Sequence, residues 1–225
     1  MVTADDLKRR AAEQGVEHIQ SGMVVGLGSG STAALAIEAL GRRLTRGELR
    51  DVVGVPTSIR TKALAESLGI PLTTLDDRQQ LDLTIDGADE VAPNGDLIKG
   101  GGGALLWEKI VGVASRRYVI VVDESKVVRI LGERFPLPVE VVPFGWRTHL
   151  DAIVALGATP ALRLGDGGAP FVTDAGNYLL DCRFRAGIVD PREVDRVLCD
   201  RPGVVETGLF LGMAPEVIVG RNEPT

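Results

Sequence analysis

Residues 81–114 read LDLTIDGADEVAPNGDLIKGGGGALLWEKIVGVA. An apolar, β-branched run opens the stretch and a run with helical spacing closes it. Between them lie four consecutive glycines, 100–103, with Asp86, Asp89, Glu90, Lys99 and Glu108 close by in the chain. Charged side chains ordinarily go to water, and glycine runs ordinarily make slack loops. Set between a strand and a helix, the same residues predict a strand–loop–helix unit whose loop carries chemistry at the carboxyl end of the strand.

The alternation continues on both sides. Leu7, Ala11, Ala12, Val16 and Ile19 are spaced as one face of a helix over 4–20, with Thr3 and Asp5 as start signals. MVVGLG (23–28), VVGVPT (52–57) and RYVIVVDES (117–125) read as strands, STAALAIEALGRRL (31–44) and SIRTKALAESLG (58–69) as helices. Short strands alternating with helices predict an α/β fold with a mostly parallel sheet covered by helices, spanning 1–131. After residue 132 the texture changes. FPLPVEVVP, PALRL, PFVTDAGNYLLDCRF and GVVETGLFL read as strands, with helices near 147–156 and 191–199. These predict a smaller α+β domain with an antiparallel sheet over 132–208, inserted before a return to the first domain at 209–225. There EVIVG (216–220) supplies one more strand.

Composition narrows the function. The 225 residues are 44% hydrophobic and 25% charged, as in a soluble globular protein, and the net charge is -6. With no Lys/Arg stripe, a nucleic-acid partner is not expected. No apolar run approaches the ~18 residues of a membrane span, and the N-terminal residues have no apolar signal core. Cys182 and Cys199 have no metal-type spacing and read as free thiols in a reducing, cytoplasmic compartment.

Three further motifs follow strands. GLGSGSTAAL (26–35) opens a helix, so backbone N–H groups and the helix N-terminus can face an anion, with hydroxyls from Ser29, Ser31 and Thr32. It lacks the Gly-Lys-Ser/Thr of a Walker loop, and Ser31 stands where a dinucleotide fingerprint needs its third glycine. The plainer alternative is a tight turn with Ser31 or Thr32 as N-cap. DGADE (86–90) suits sugar hydroxyls, a metal or an Asx turn; His18 and His149 lie far from it in the sequence. DESK (123–126) offers Lys126 to an anion. In KGGGGALLWEK (99–109) the glycine N–H groups can hold an oxyanion. Glu108, among Leu105, Leu106, Trp107 and Ile110, is either a desolvated base or an exposed partner of Lys109.

In their order, GLGSGST, DGADE, KGGGGAL, Glu108-Lys109, DESK, LPVEV, TDAGNYLLD and PGVVETGLF resemble the type A ribose-5-phosphate isomerases, from residue 26 to residue 210. The resemblance implies a Rossmann-like main domain and a small α+β domain in a homodimer or homotetramer. It implies interconversion of ribose 5-phosphate and ribulose 5-phosphate, a step of the non-oxidative pentose phosphate pathway, with no metal and no organic cofactor. It makes Glu108 the general base, with Asp86 and Lys99 also catalytic. Substrate contacts fall on Ser29, Gly30, Ser31, Thr32, Asp86, Gly87, Ala88, Asp89, Lys99, Gly100, Gly101, Gly102 and Lys126, and Lys8 matches a phosphate-contacting lysine. Three positions depart from the family pattern: Ser29 for threonine, Trp107 for arginine, and Ala175 for the asparagine of Thr-Asp-Asn-Gly-Asn.

Such an isomerisation moves a proton between C1 and C2 through a cis-enediolate. It needs a base, donors for two oxygens, help with ring opening and a phosphate anchor. The residue types present supply each. Three other readings compete: an acyl-CoA transferase with Glu108 as nucleophile, a sugar-phosphate sensor, and a phosphosugar deaminase. A sensor commonly carries a helix-turn-helix, and here one short helix precedes the first strand. A deaminase wants a histidine near the glycine motifs.

Overall fold

The computed structural model describes residues 3–221. The described residues divide into two units: 3–88, 107–126 and 213–221 in the first, 89–106 and 127–212 in the second.

The first unit holds a five-stranded sheet in the order β12-β6-β3-β1-β2. Its strands are β1 (Val24–Leu27), β2 (Val53–Pro56), β3 (Leu83–Asp86), β6 (Tyr118–Asp123) and β12 (Glu216–Gly220). Every pairing is parallel. β3 and β6 are buried along their whole length, as strands covered on both faces must be, which is why YVIVVD reads as a continuous apolar run. The covering helices include α1 (Ala4–Val16), α2 (Ser31–Thr45) and α3 (Ile59–Ser67). Thr3 caps α1 in a capping box with Asp6, and Ser58 caps α3 by accepting from the Thr61 N–H at 3.0 Å. One apolar cluster joins Ala11, Val16, Leu27, Ile37, Leu40, Leu83 and Val121. β2 lies on one side of β1 and β3 on the other, so chain progression reverses there. The carboxyl ends of β1 and β3 are therefore the switch point at which such sheets bind ligands.

The second unit has two antiparallel sheets. One orders β10-β7-β9-β8, from β7 (Leu137–Val141), β8 (Ala158–Leu162), β9 (Tyr178–Phe184) and β10 (Val204–Thr207). Its apolar face packs with α5 (Leu150–Ala155) and α6 (Pro191–Cys199) around Leu137, Val139, Ile153, Leu180 and Leu198. The other orders β11-β5-β4, from β4 (Glu90–Val91), β5 (Leu97–Ile98) and β11 (Leu209–Phe210). That small sheet explains why the units part differently from the expected boundaries at 131 and 208. β4 pairs with β5 and β5 with β11, so 89–106 and 209–212 both go with the antiparallel unit. α4 (Leu105–Val113) is the helix that follows the glycines. No described helix is long and apolar enough to cross a membrane.

His149 is 2% exposed, and Arg201 Nε reaches its Nδ1 at 3.4 Å. Burial, then the Arg201 charge, holds its pKa below the ordinary 6.5. The unfolded chain therefore takes up the proton first as pH falls. The stabilisation is complete above about pH 6.5 and is lost as pH drops towards the folded-state value. Thermal melts between pH 7.5 and 5 should show Tm falling less steeply in His149→Gln than in the parent. Parallel slopes would exclude His149 as a source of acid lability.

Candidate active site

The three carboxylates of DGADE each gather backbone. Asp86, fully buried at the end of β3, accepts at Oδ1 from the N–H of Ser29 (3.1 Å) and of Gly87 (2.7 Å). It thereby ties the loop after β1 to the tip of β3. The approach is so close that a Cβ on Gly28 would lie 2.2 Å from Asp86 Oδ1 and 2.5 Å from its Cα. In the second unit, Asp89 Oδ2 accepts from Gly101 N–H at 2.7 Å. Glu90, 1% exposed, accepts from the N–H groups of Gly132, Arg134 and Phe135 at 2.5, 2.6 and 2.7 Å. Glu90 holds a loop in place, and truncating it would strand the buried Gly132 N–H at about 1–3 kcal/mol and release the part-buried N–H groups of Arg134 and Phe135. Among the described residues, the three donors clustered at metal-binding spacing are Asp195, Cys199 and Glu206, none of them in DGADE.

The glycine loop at 26–30 leads into α2 differently from the plain capping alternative. Neither Ser31 nor Thr32 is the N-cap. Gly30 is, at φ 96° and with no side-chain cap, while Ser31 is the first helical residue. The N-terminus of α2 is thus left to an outside acceptor, which suits an anion. Ser31 is exposed and Thr32 is 8% exposed. Ser29 behaves otherwise. Its hydroxyl donates to Ser58 Oγ at 2.8 Å and lies 2.8 Å from Thr57 Oγ1 and 3.1 Å from Thr61 Oγ1. Thr57 and Thr61 in turn donate to the carbonyls of Leu27 and Gly28. This hydroxyl network shapes the loop, and the sequence reading missed it. The available signal was PTSIRT (56–61), dense in hydroxyls just after a strand.

Glu108 lies in the first turn of α4 and is 4% exposed, so the exposed-partner reading fails. Its place in the first turn sets the carboxylate at the positive end of the helix dipole. Trp107 beside it is half-buried. Lys126, partly exposed, ends the 3-10 turn after β6. Asp123, 3% exposed, shapes that turn by accepting from the Ser125 N–H at 3.0 Å and its hydroxyl at 2.5 Å. Lys8 sits on α1, ion-paired with Asp5 at 3.4 Å. Gly87 and Ala88 are partly buried, between Asp86 and Asp89.

In the second unit Lys99 is 2% exposed, its N–H bonded to Gly208 O at 2.9 Å and its Nζ 5.5 Å from the Phe210 ring centroid. The glycine run is an ordered turn, since Gly103 N–H donates to Gly100 O at 3.0 Å. Gly103 has φ +82°, and a Cβ there would meet the Phe171 ring at 2.5 Å, so only glycine fits. Of the four expected donors, Gly101 and Gly103 are engaged internally. Gly102 N–H, exposed, donates to no protein group among the described residues. The Ala175 departure leaves its turn intact: Thr173 Oγ1 and Asn177 Nδ2 both donate to buried Glu140, at 2.9 and 3.0 Å.

The family model for ribose 5-phosphate isomerase A (phosphoriboisomerase A) matches residues 53–224. A ribose-5-phosphate isomerase A from Roseiflexus castenholzii is 53% identical over 212 residues, covering 94% of this chain and 90% of that one. Its counterpart from Thermosynechococcus vestitus is 51% identical over 217 residues, 95% and 91% of the two chains. Among solved structures, a D-ribose-5-phosphate isomerase in complex with phospho-erythronic acid superposes with a TM-score of 0.94 at 42% identity, covering 97% of this chain and 95% of that one. The ribose 5-phosphate isomerase A of Methanocaldococcus jannaschii gives 0.91 at 43%, covering 98% and 96%. Sequence identity near one half and a shared fold over almost the whole chain have one reading: this chain belongs to the ribose 5-phosphate isomerase A family.

Proposed function

We infer that this chain interconverts ribose 5-phosphate and ribulose 5-phosphate, with Glu108 moving the proton. The observation that carries the assignment of roles is the burial of Glu108 in the first turn of α4. A carboxylate kept from water is a stronger base than a solvated one. It takes the C2 proton and returns it to C1. Lys99 and the free N–H of Gly102 stabilise charge on O1 and O2 of the enediolate, and Asp86 assists ring opening. Gly87, Ala88, Asp89, Gly100 and Gly101 frame the sugar. Gly30, Ser31 and Thr32 at the uncapped start of α2 take the phosphate with Lys126. Ser29 acts mainly by holding that loop in shape.

Carboxylate, ammonium and backbone N–H supply every role in this scheme, so it needs neither metal nor organic cofactor. The cysteines, Cys182 buried and Cys199 exposed, support a cytoplasmic setting. Apolar side chains such as Phe144, 94% exposed, support a homodimer or homotetramer.

The test is to incubate EDTA-treated protein with ribose 5-phosphate and with unphosphorylated ribose. Ribulose 5-phosphate should form at the untreated rate. Ribose should be turned over with kcat/KM lower by at least about 10²-fold, because phosphate binding energy is used at the reacting carbons. Activity lost in EDTA and restored by a divalent ion would refute the metal-free scheme, and equal use of both sugars would refute the phosphate grip.

A further inference from the structure

Arg163 lies just past β8, within the PALRL stretch and far in sequence from the glycine run at 100–103. Its side chain is 15% exposed. Nε and Nη2 form a two-point pair with Asp181 of β9, at 2.9 Å to Oδ2 and 2.5 Å to Oδ1. The remaining terminal nitrogen, Nη1, donates to the carbonyl oxygens of Gly100 at 2.9 Å and Gly101 at 3.2 Å. Phe171 lies 5.8 Å from the guanidinium, ring centroid to Cζ, and its ring is the one packed against Gly103. The Phe171 N–H also donates to Arg163 O at 2.9 Å.

The consequence follows from peptide geometry. No peptide bond among the described residues is cis, so each N–H points away from the C=O of its own peptide. Holding Gly100 C=O on the guanidinium turns Gly101 N–H the opposite way, where Asp89 Oδ2 accepts it at 2.7 Å. That peptide is held between a cation at its oxygen and a carboxylate at its N–H. Holding Gly101 C=O on the same nitrogen turns Gly102 N–H away from Arg163, with no protein acceptor among the described residues. A cation on the carbonyl also polarises the peptide and strengthens the donor at its other end. A lysine could not do the same, since its point charge lacks the planar fork that grips Asp181 and the two carbonyls together.

We propose that Arg163 is a positioning residue of the isomerase: anchored by Asp181, it fixes the Gly100–Gly102 peptides so that Gly102 N–H is presented as a preorganised oxyanion donor. The proposal rests on the reading of the glycine loop as the enediolate donor.

Arg163→Ala tests it through steady-state kinetics on ribose 5-phosphate. With the donor loosened, kcat should fall by about 10- to 100-fold, the scale of a misplacement near 1 Å. KM should stay within about twofold, because the loop acts in the transition state. Guanidinium ion at a few millimolar should restore part of the lost kcat while leaving the parent unchanged. Arg163→Lys should stay well below the parent. Undiminished kcat would overturn the proposal, as would a loss expressed only in KM or a loss that guanidinium does not relieve. Should Arg163→Ala not fold, Asp181→Asn keeps the guanidinium but releases its anchor and must show the same kcat-selective loss. A parent without isomerase activity would instead sink the functional reading, whatever Arg163 does.

Discussion

Glu108→Gln is expected to lower turnover of ribose 5-phosphate by at least about 10²-fold, the lower end of what a positioned general base contributes. The substitution keeps the shape and the buried first-turn position but removes the group that accepts the C2 proton. Affinity for a non-reacting phosphosugar should survive, because phosphate and hydroxyl contacts are assigned to Ser31, Thr32, Lys126 and the DGADE segment. In deuterated water the parent should exchange solvent label into the sugar at C1 or C2, and the variant should not. Near-parent turnover with continued exchange would remove Glu108 from the mechanism and direct attention to Asp86 and Asp89. Trapping of a hydroxylamine-sensitive acyl adduct on Glu108 with acyl-CoA would favour the transferase alternative instead.

Gly28→Ala should have the next largest effect. The added methyl would sit 2.2 Å from Asp86 Oδ1, 2.4 Å from its Cγ and 2.5 Å from its Cα. No rotamer change relieves a clash with Cα, so the β1 loop or the tip of β3 must move. Overpacking of this kind costs about 1–3 kcal/mol, or about 2–12 °C in Tm for a chain of this size. Both Asp86 and the phosphate loop would be displaced, so kcat/KM should fall by about 10²-fold or more. Gly165→Ala is the control. Its Cβ would meet nothing closer than 3.8 Å, and its Tm should match the parent. If Gly28→Ala melted and turned over like that control, the close packing of Gly28 on Asp86 would have no functional weight.

Much of the fold could be read from local pattern. Strands such as YVIVVD and helices such as 31–44 carry their periodicity within one short window, and that periodicity reports which faces are buried. EVIVG joins the parallel sheet beside β6, as its β-branched run suggested. GVVETGLFL was legible as strand but not as two strands. It breaks at Gly208, where a Cβ would come within 2.3 Å of Lys99 O, and its halves pair in different sheets. β4 and β5, two residues each, were too short to show any alternation.

At the site, the sequence by itself determined the inventory: a glutamate beside glycines, two anion-ready loops, carboxylates at a strand end, and their family. Those features are contiguous, so spacing alone exposes them. Only the tertiary structure decided what each group does with its hydrogen bonds. Ser29 and Asp86 are 57 positions apart, and Arg163 is 63 from Gly100. No window of sequence reports that Ser29's hydroxyl turns inward, that Gly30 rather than Ser31 caps α2, or that an arginine holds the glycine carbonyls. Each is settled by which polar groups lack water once the chain has packed. A buried donor must find an acceptor in space, and the chain between the two carries no record of the match.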